Sequence, residues 1–105
     1  MKPSELLLGS NGLLTDRVRL AIMATLAAAP EPLDFNTLLD ALQLTKGNLS
    51  AHSQKLEEAG MIEVKKEFVG KKPRTTYRCT DKGKSEMRAY LAQIEAMLKM
   101  ATGGA

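Results

Sequence analysis

Apolar residues along this chain recur first with the period of a helix, then with that of a strand, and finally with that of a helix again. Thr15 and Asp16 offer an N-cap ahead of Val18, Ala21, Ile22, Thr25 and Leu26, which fall on one helical face. Pro30 and Pro32 stop that helix. After a short extended piece at Pro32 and Leu33, Asp34 can cap a second helix of about two turns, with Phe35, Leu38, Leu39 and Leu42 inward. Gln43, Leu44 and Thr45 leave room only for a turn. Thr45 then caps a third helix that carries Leu49, Ser53 and Leu56 inward and ends at Gly60.

Beyond Gly60 the period changes to two. Residues 61–68 alternate through Ile62, Val64 and Phe68 with charges between, as a strand does. A loop at residues 69–74, with Gly70 and Pro73 to turn the chain, leads into a return strand at residues 75–79, rich in β-branched and aromatic side chains. Thr80 and Asp81 cap a fourth helix, whose apolar positions Met87, Tyr90, Leu91, Ile94, Met97 and Leu98 step by three and four. The tail from Ala101, with Gly103 and Gly104, is expected to fray.

The expected fold class is therefore α+β, mostly α. It is a winged helix-turn-helix, with a three-helix core, a two-stranded β-hairpin wing and a long C-terminal dimerisation helix. The expected divisions are an N-terminal arm at residues 1–13, the winged helix-turn-helix at 14–83, the dimerisation helix at 84–100 and a tail at 101–105. A helix of roughly 25 Å is longer than three short helices can cover, so its apolar stripe points to a second copy.

Composition narrows the function. A length of 105 residues with 44% hydrophobic content fits one globular domain. The lone Cys79 excludes an intramolecular disulfide framework and suits a reducing compartment. Residues 1–10 lack the apolar run of about 7–15 residues of a signal peptide. The most apolar window, residues 20–29, spans only about 15 Å as helix and cannot cross a bilayer. A cytoplasmic protein without membrane contact is expected.

The formal charge of +3 is unevenly spread: residues 1–64 carry 5 basic and 8 acidic groups, whereas residues 65–84 carry 8 basic and 2 acidic. Basicity is thus concentrated on the predicted hairpin and its flanks, which favours a polyanionic partner there. No nucleophile elbow, phosphate-binding loop, dinucleotide fingerprint or paired-histidine motif is present, so neither an enzyme nor a bound cofactor is expected.

Four stretches, residues 44–52, 55–62, 70–75 and 80–83, occur in an order that resembles the winged-helix transcriptional regulators of the MarR/ArsR-like group. The resemblance runs from about Leu14 to the last helix. It implies a small prokaryotic, homodimeric DNA-binding repressor or regulator whose outer helices, C-terminal and N-terminal, form the dimer interface. Two departures stand out. Ser53 and Ala51 occupy places where relatives commonly have a large apolar and a basic residue, which implies lighter packing and weaker base readout. Cys79 and His52 are the only soft ligands and lie on different elements, so metal sensing is not carried over.

With Leu49, Ser53 and Leu56 inward, Gly47, Asn48, Ser50, Ala51, Gln54 and Lys55 face outward or sideways on the third helix. Asn48 and Gln54 suit adenine, Ser50 can donate or accept, the Ala51 methyl suits thymine, and Lys46 and Lys55 suit phosphate or guanine. His52 flanks the buried stripe, and the resemblance implies a place near the DNA backbone. On the wing, Lys71, Lys72 and Arg74 form a cationic finger for phosphate or minor groove, with Thr75 beside them in the matching stretch. Cys79 reads as a small buried hydrophobe rather than a redox switch.

The function expected is sequence-specific binding of double-stranded DNA by a homodimer on an inverted repeat. A small-molecule effector is possible on this reading but is not identified by the sequence. Two alternatives keep the fold and change the partner: a protein-interaction module and an RNA-binding module. The basic wing weighs against the first, and the presence of only two Phe and two Tyr, too few for base-stacking platforms, weighs against the second.

Overall fold

In the computed structural model, which describes residues 12–103 together with Lys2 and Ser4, Asp16 starts the first helix by accepting a 3.0 Å hydrogen bond from the Arg19 backbone N–H. Most of the expected N-terminal arm, and the last two residues of the tail, lie outside the described residues. Helix α1 covers Arg17–Ala28, β1 covers Leu33–Asp34, α2 covers Phe35–Leu42 and α3 covers Lys46–Glu58. Strands β2 (Ile62–Val69) and β3 (Lys72–Cys79) follow, and α4 runs from Asp81 to Ala101. This is the expected winged helix-turn-helix with a long last helix.

The helix-turn-helix closes through backbone geometry. Gln43 adopts the left-handed conformation at the end of α2 (φ 53°, ψ 41°). From there Leu44 N–H reaches back to the Leu39 carbonyl at 3.3 Å, the wrap-around bond that satisfies orphan carbonyls at a helix end. Thr45 then caps α3 by accepting from Asn48 N–H at 3.1 Å.

The core gathers Leu14, Ile22, Met23, Leu38, Leu49, Leu56 and Met61, all fully buried. Each such side chain contributes roughly 1.5–3 kcal/mol of transfer free energy. Leu49, Ser53 and Leu56 are buried as their spacing predicts. Met23 lies off the predicted α1 stripe yet is fully buried, because α4 crosses over it and places Gly83 against its methyl group. A Cβ at Gly83 would collide with the Met61 carbonyl oxygen and approach Met23 Cε to 2.8 Å. The same junction is stapled by Thr80, whose hydroxyl donates to the carbonyls of Gly60 (2.7 Å) and Met61 (3.0 Å) and accepts from Gly83 N–H (3.0 Å). Lys82 Nζ adds a bond to the Ala59 carbonyl at 2.8 Å. The sequence stretch at residues 80–83 is thus the joint between the end of α3 and the start of α4.

One expectation, the six-residue wing loop, needs correction, and two further features go beyond the sequence reading. The sheet has three strands in the order β1-β3-β2, because Leu33 and Asp34 pair with Tyr77 and Thr76. The wing has no six-residue loop: β2 and β3 pair from Ile62↔Cys79 out to Val69↔Lys72, leaving Gly70 (φ +66°) and Lys71 as the whole turn. Pro73 is accommodated within β3 because β1 pairs only at Thr76 and Tyr77, so no ladder bond is lost on that edge. Phe68 does share a face with Ile62 and Val64, but it is not inward: the hairpin outruns the body and leaves it 74% exposed.

Helix α4 is 21 residues long, about 31 Å at 1.5 Å per residue. Met87 and Tyr90 pack against the core, whereas Leu91, Ile94, Met97 and Leu98 are exposed on the outer part of the helix. Among the described residues no helix is long and apolar enough to cross a membrane.

Candidate nucleic-acid interface

Helix α3 turns its polar side away from the core. Lys46, Gly47, Asn48, Ser50, Ala51, Gln54 and Lys55 are all exposed. Nothing lies within 4 Å of where a Gly47 Cβ would stand, so packing inside the chain does not require glycine there. The first turn of α3 also presents backbone N–H groups and the positive end of its dipole, which suits a phosphate. Gln54 is not free: its amide donates to Glu58 Oε1 at 3.2 Å, a bond that base readout by this side chain has to break.

His52 is half-buried and turned towards α1. Its Nδ1 lies 3.1 Å from Arg19 Nη1. Guanidinium has donors only, so this contact needs Nδ1 as acceptor and places the ring proton on Nε2. Arg19 is itself held by a 2.7 Å bond from Nε to the Leu13 carbonyl. Arg19 therefore supports α3 from behind. Sequence reasoning missed this residue, because residues 33 positions apart on different helices carry no joint periodic signal.

On the wing, Lys71, Lys72 and Arg74 are exposed and Thr75 is half-buried. Lys65 is 3.5 Å from Glu67, and Arg78 pairs with Glu63 at 2.9 Å, so these two cations are partly neutralised on the strands. Both pairs are exposed and contribute little to stability.

The helix and the wing border one hollow of about 400 Å³. Ser50, Ser53, Gln54 and Glu57 line it from α3, and Val64, Lys66 and Tyr77 from the sheet. Ser53 is 3% exposed, and among the described residues its hydroxyl has no hydrogen-bond partner. The lighter packing expected from a serine at this position is visible as that hollow. Glu57 and Lys66, which the sequence reading did not single out as a pair, give it one charge of each sign. Tyr77 is held in its neutral form to higher pH than an ordinary tyrosine, first by burial and then by the Glu57 carboxylate.

A second, smaller hollow of about 120 Å³ lies between the end of α1, β3 and the start of α4, with Pro30, Pro32 and Cys79 among its lining. Burial pushes the Cys79 thiol up, which disfavours the reactive thiolate. The expected role of a small buried hydrophobe agrees with its 3% exposure. No cluster of three or more His, Cys, Asp or Glu that could hold a metal occurs among the described residues.

Known proteins share this arrangement. A family model described as a winged helix DNA-binding domain matches residues 18–98. An uncharacterised protein of Methanocaldococcus jannaschii is 38% identical over 82 residues, which is 78% of this chain and 88% of that protein. The solved structure of a transcriptional regulator homologue from Pyrococcus horikoshii OT3 superposes with a TM-score of 0.80 at 30% identity, covering 93% of this chain and 94% of the other. A PadR family transcriptional regulator from Eggerthella lenta DSM 2243 gives 0.66 at 25% identity, covering 82% and 83%. The resemblance to winged-helix regulators read from the sequence is borne out: the chain belongs to the winged helix DNA-binding domain family and is a DNA-binding transcriptional regulator.

Proposed function

We propose that the protein acts as a homodimer that represses transcription by occupying an inverted-repeat operator. The observation that carries this reading is the hollow bordered by both α3 and the sheet, which sets the exposed polar face of α3 beside the hairpin that carries Lys66, Lys71, Lys72 and Arg74. In this mechanism Lys71, Lys72 and Arg74 neutralise phosphates or line the minor groove, with Thr75 beside them. Lys46, Gly47 and Lys55 hold the backbone at the rim of the major groove. Asn48, Ser50, Ala51 and Gln54 meet base edges. His52 orients α3 through Arg19 and turns its Nε2 side towards the backbone.

The dimer rests on α4. Leu91, Ile94, Met97 and Leu98 form an exposed apolar stripe at helical spacing, continuous with Met87 and Tyr90 where the helix meets the core. Residues 84–100 serve as the dimerisation segment, with the N-terminal helix contributing beside it, and residues 14–83 serve as the DNA-binding unit. A twofold axis through α4 sets two α3 helices into successive major grooves, with half-sites about 10 base pairs apart or a multiple of that. An effector that loosens this pairing would relieve repression, and a cytoplasmic location follows from the DNA target.

The test is selection of duplexes from a random pool, followed by fluorescence anisotropy over a salt series with the mass of the free protein measured by sedimentation. A dimeric protein that enriches an inverted repeat and binds it more tightly than random duplex supports the proposal. Enrichment of a single asymmetric site by a monomer would overturn it.

A further inference from the structure

The wing carries apolar surface that its own body leaves uncovered. Phe68 is 74% and Val69 57% exposed at the end of β2, and exposed Pro73 faces Phe68 directly across the hairpin. Residue alternation puts Phe68 on the same strand face as Ile62, Val64 and Lys66. Ile62 on that face is buried in the core, and Val64 and Lys66 line the hollow beside α3. Phe68 and Pro73 therefore continue the α3-side face of the sheet past the point where the body ends. The exposed Phe68–Pro73 pair and α3 thus belong to the same side of the sheet.

The surroundings narrow the occupant. Lys66 shares the face of Phe68 and Lys71 stands in the turn, while Lys72 and Arg74, paired with Val69 and Glu67, lie on the other face of the same hairpin; all four are exposed. An apolar tip ringed by cations is complementary to a polyanion with an apolar interior, which describes base steps reached through the minor groove between two phosphate backbones. Strand addition by a protein partner is disfavoured on the β3 edge, where Pro73 has no N–H and Lys72 and Arg74 flank it.

Resting on the DNA-binding role, we propose that Phe68, backed by Pro73, is an apolar wedge that enters the minor groove next to the α3 site and bends the duplex. Proteins that insert Phe or Pro between base steps kink DNA in this way, and the energy of the kink depends on the step deformed. The wing thereby adds specificity without hydrogen-bonding any base: flexible pyrimidine–purine steps are preferred beneath Phe68.

The experiment uses the full chain and a duplex selected from a random pool, labelled at both ends for energy transfer. Wild-type protein is expected to shorten the end-to-end distance by an amount equivalent to a bend of about 20–90°. Phe68→Ala should return the bound duplex towards straight and weaken binding on the order of tenfold with an unchanged salt slope, while Phe68→Leu keeps part of the bend. Lys71→Ala should lower the salt slope by about one and leave the bend in place. Phe68 lies outside the core, so Phe68→Ala keeps the wild-type melting temperature. A bend equal in wild type and Phe68→Ala would overturn the wedge and leave DNA binding standing. A change in oligomeric mass, or loss of binding to anionic phospholipid vesicles with duplex binding intact, would overturn it in favour of a copy–copy or membrane contact. Failure of the wild-type protein to bind any duplex would overturn both the wedge and the DNA-binding role.

Discussion

Arg19 on α1 donates to His52 Nδ1 on α3 at 3.1 Å, with the guanidinium fixed from its other side by the Leu13 carbonyl at 2.7 Å. The pair couples α3 to the helix behind it. Asp16, which caps α1, has its carboxyl held below the usual carboxylate range chiefly by the Arg19 backbone N–H. A single arginine thus joins the α1 cap, Leu13 and α3.

Because the two side chains act through one bond, their substitutions are expected to be non-additive. Arg19→Ala and His52→Ala should each cost about 1 kcal/mol in urea unfolding. The double variant should cost clearly less than the sum of the two. Full additivity would mean that the bond carries no coupling energy.

The joint at Gly83 admits no side chain. Gly83→Ala sets a methyl group against the Met61 carbonyl and is expected to destabilise the protein by about 1–3 kcal/mol, the range for overpacked sites. Thermal unfolding followed by circular dichroism reads the effect. An unchanged melting temperature would show that α4 can shift away from Met61 without loss.

Acid should weaken the helix caps. The Thr37 backbone N–H, assisted by the Thr37 hydroxyl, holds the Asp34 carboxyl below its ordinary value, with a 2.7 Å bond from N–H to Oδ1. The folded pKa is thus below the unfolded one. Its contribution is therefore present above the unfolded carboxylate range and is lost as pH falls through the folded value. Asp34→Ala is expected to cost about 1 kcal/mol at neutral pH. Its gap to wild type should close on acidification below the carboxylate range. A gap that stays constant with pH would remove the charge from the cap's contribution.

Wing and helix should fail differently in DNA binding. Replacing Lys71, Lys72 and Arg74 together with Ala should weaken binding to all duplexes alike and flatten the salt dependence by up to about three units. Replacing Asn48 with Ala should erode discrimination by roughly 1–3 kcal/mol for a bidentate contact. Gln54→Ala should cost less than Asn48→Ala, because its amide must first leave Glu58. Anisotropy against selected and random duplex separates these outcomes, and equal losses on both duplexes for Asn48→Ala would exclude base readout by that residue.

The α4 stripe predicts a dimer sensitive to charge. Leu98 is 61% exposed in the single chain. Leu91→Glu combined with Leu98→Glu should therefore leave the fold intact while converting the species seen by sedimentation to monomer. Retention of a dimer would move the interface elsewhere.

Most of the element order was legible in the chain because local rules set it. Asp16, Asp34, Thr45 and Thr80 each cap the helix expected of them, and Leu49, Ser53 and Leu56 fall inward by helical period alone. The basic character of the wing was equally plain, since Lys71, Lys72 and Arg74 are neighbours in sequence. What the sequence could not decide was everything set by distance across the fold. Whether Phe68 is covered depends on how far the hairpin outruns α3. The length of the turn depends on pairing that continues to Val69↔Lys72. The pairing of β1 with β3, the Arg19–His52 bond and the hollow beside Ser53 bring together residues from separate elements, and burial and hydrogen bonding there are properties of the assembled chain. Periodicity fixes which face a side chain takes. Only the tertiary structure decides what, if anything, stands opposite that face.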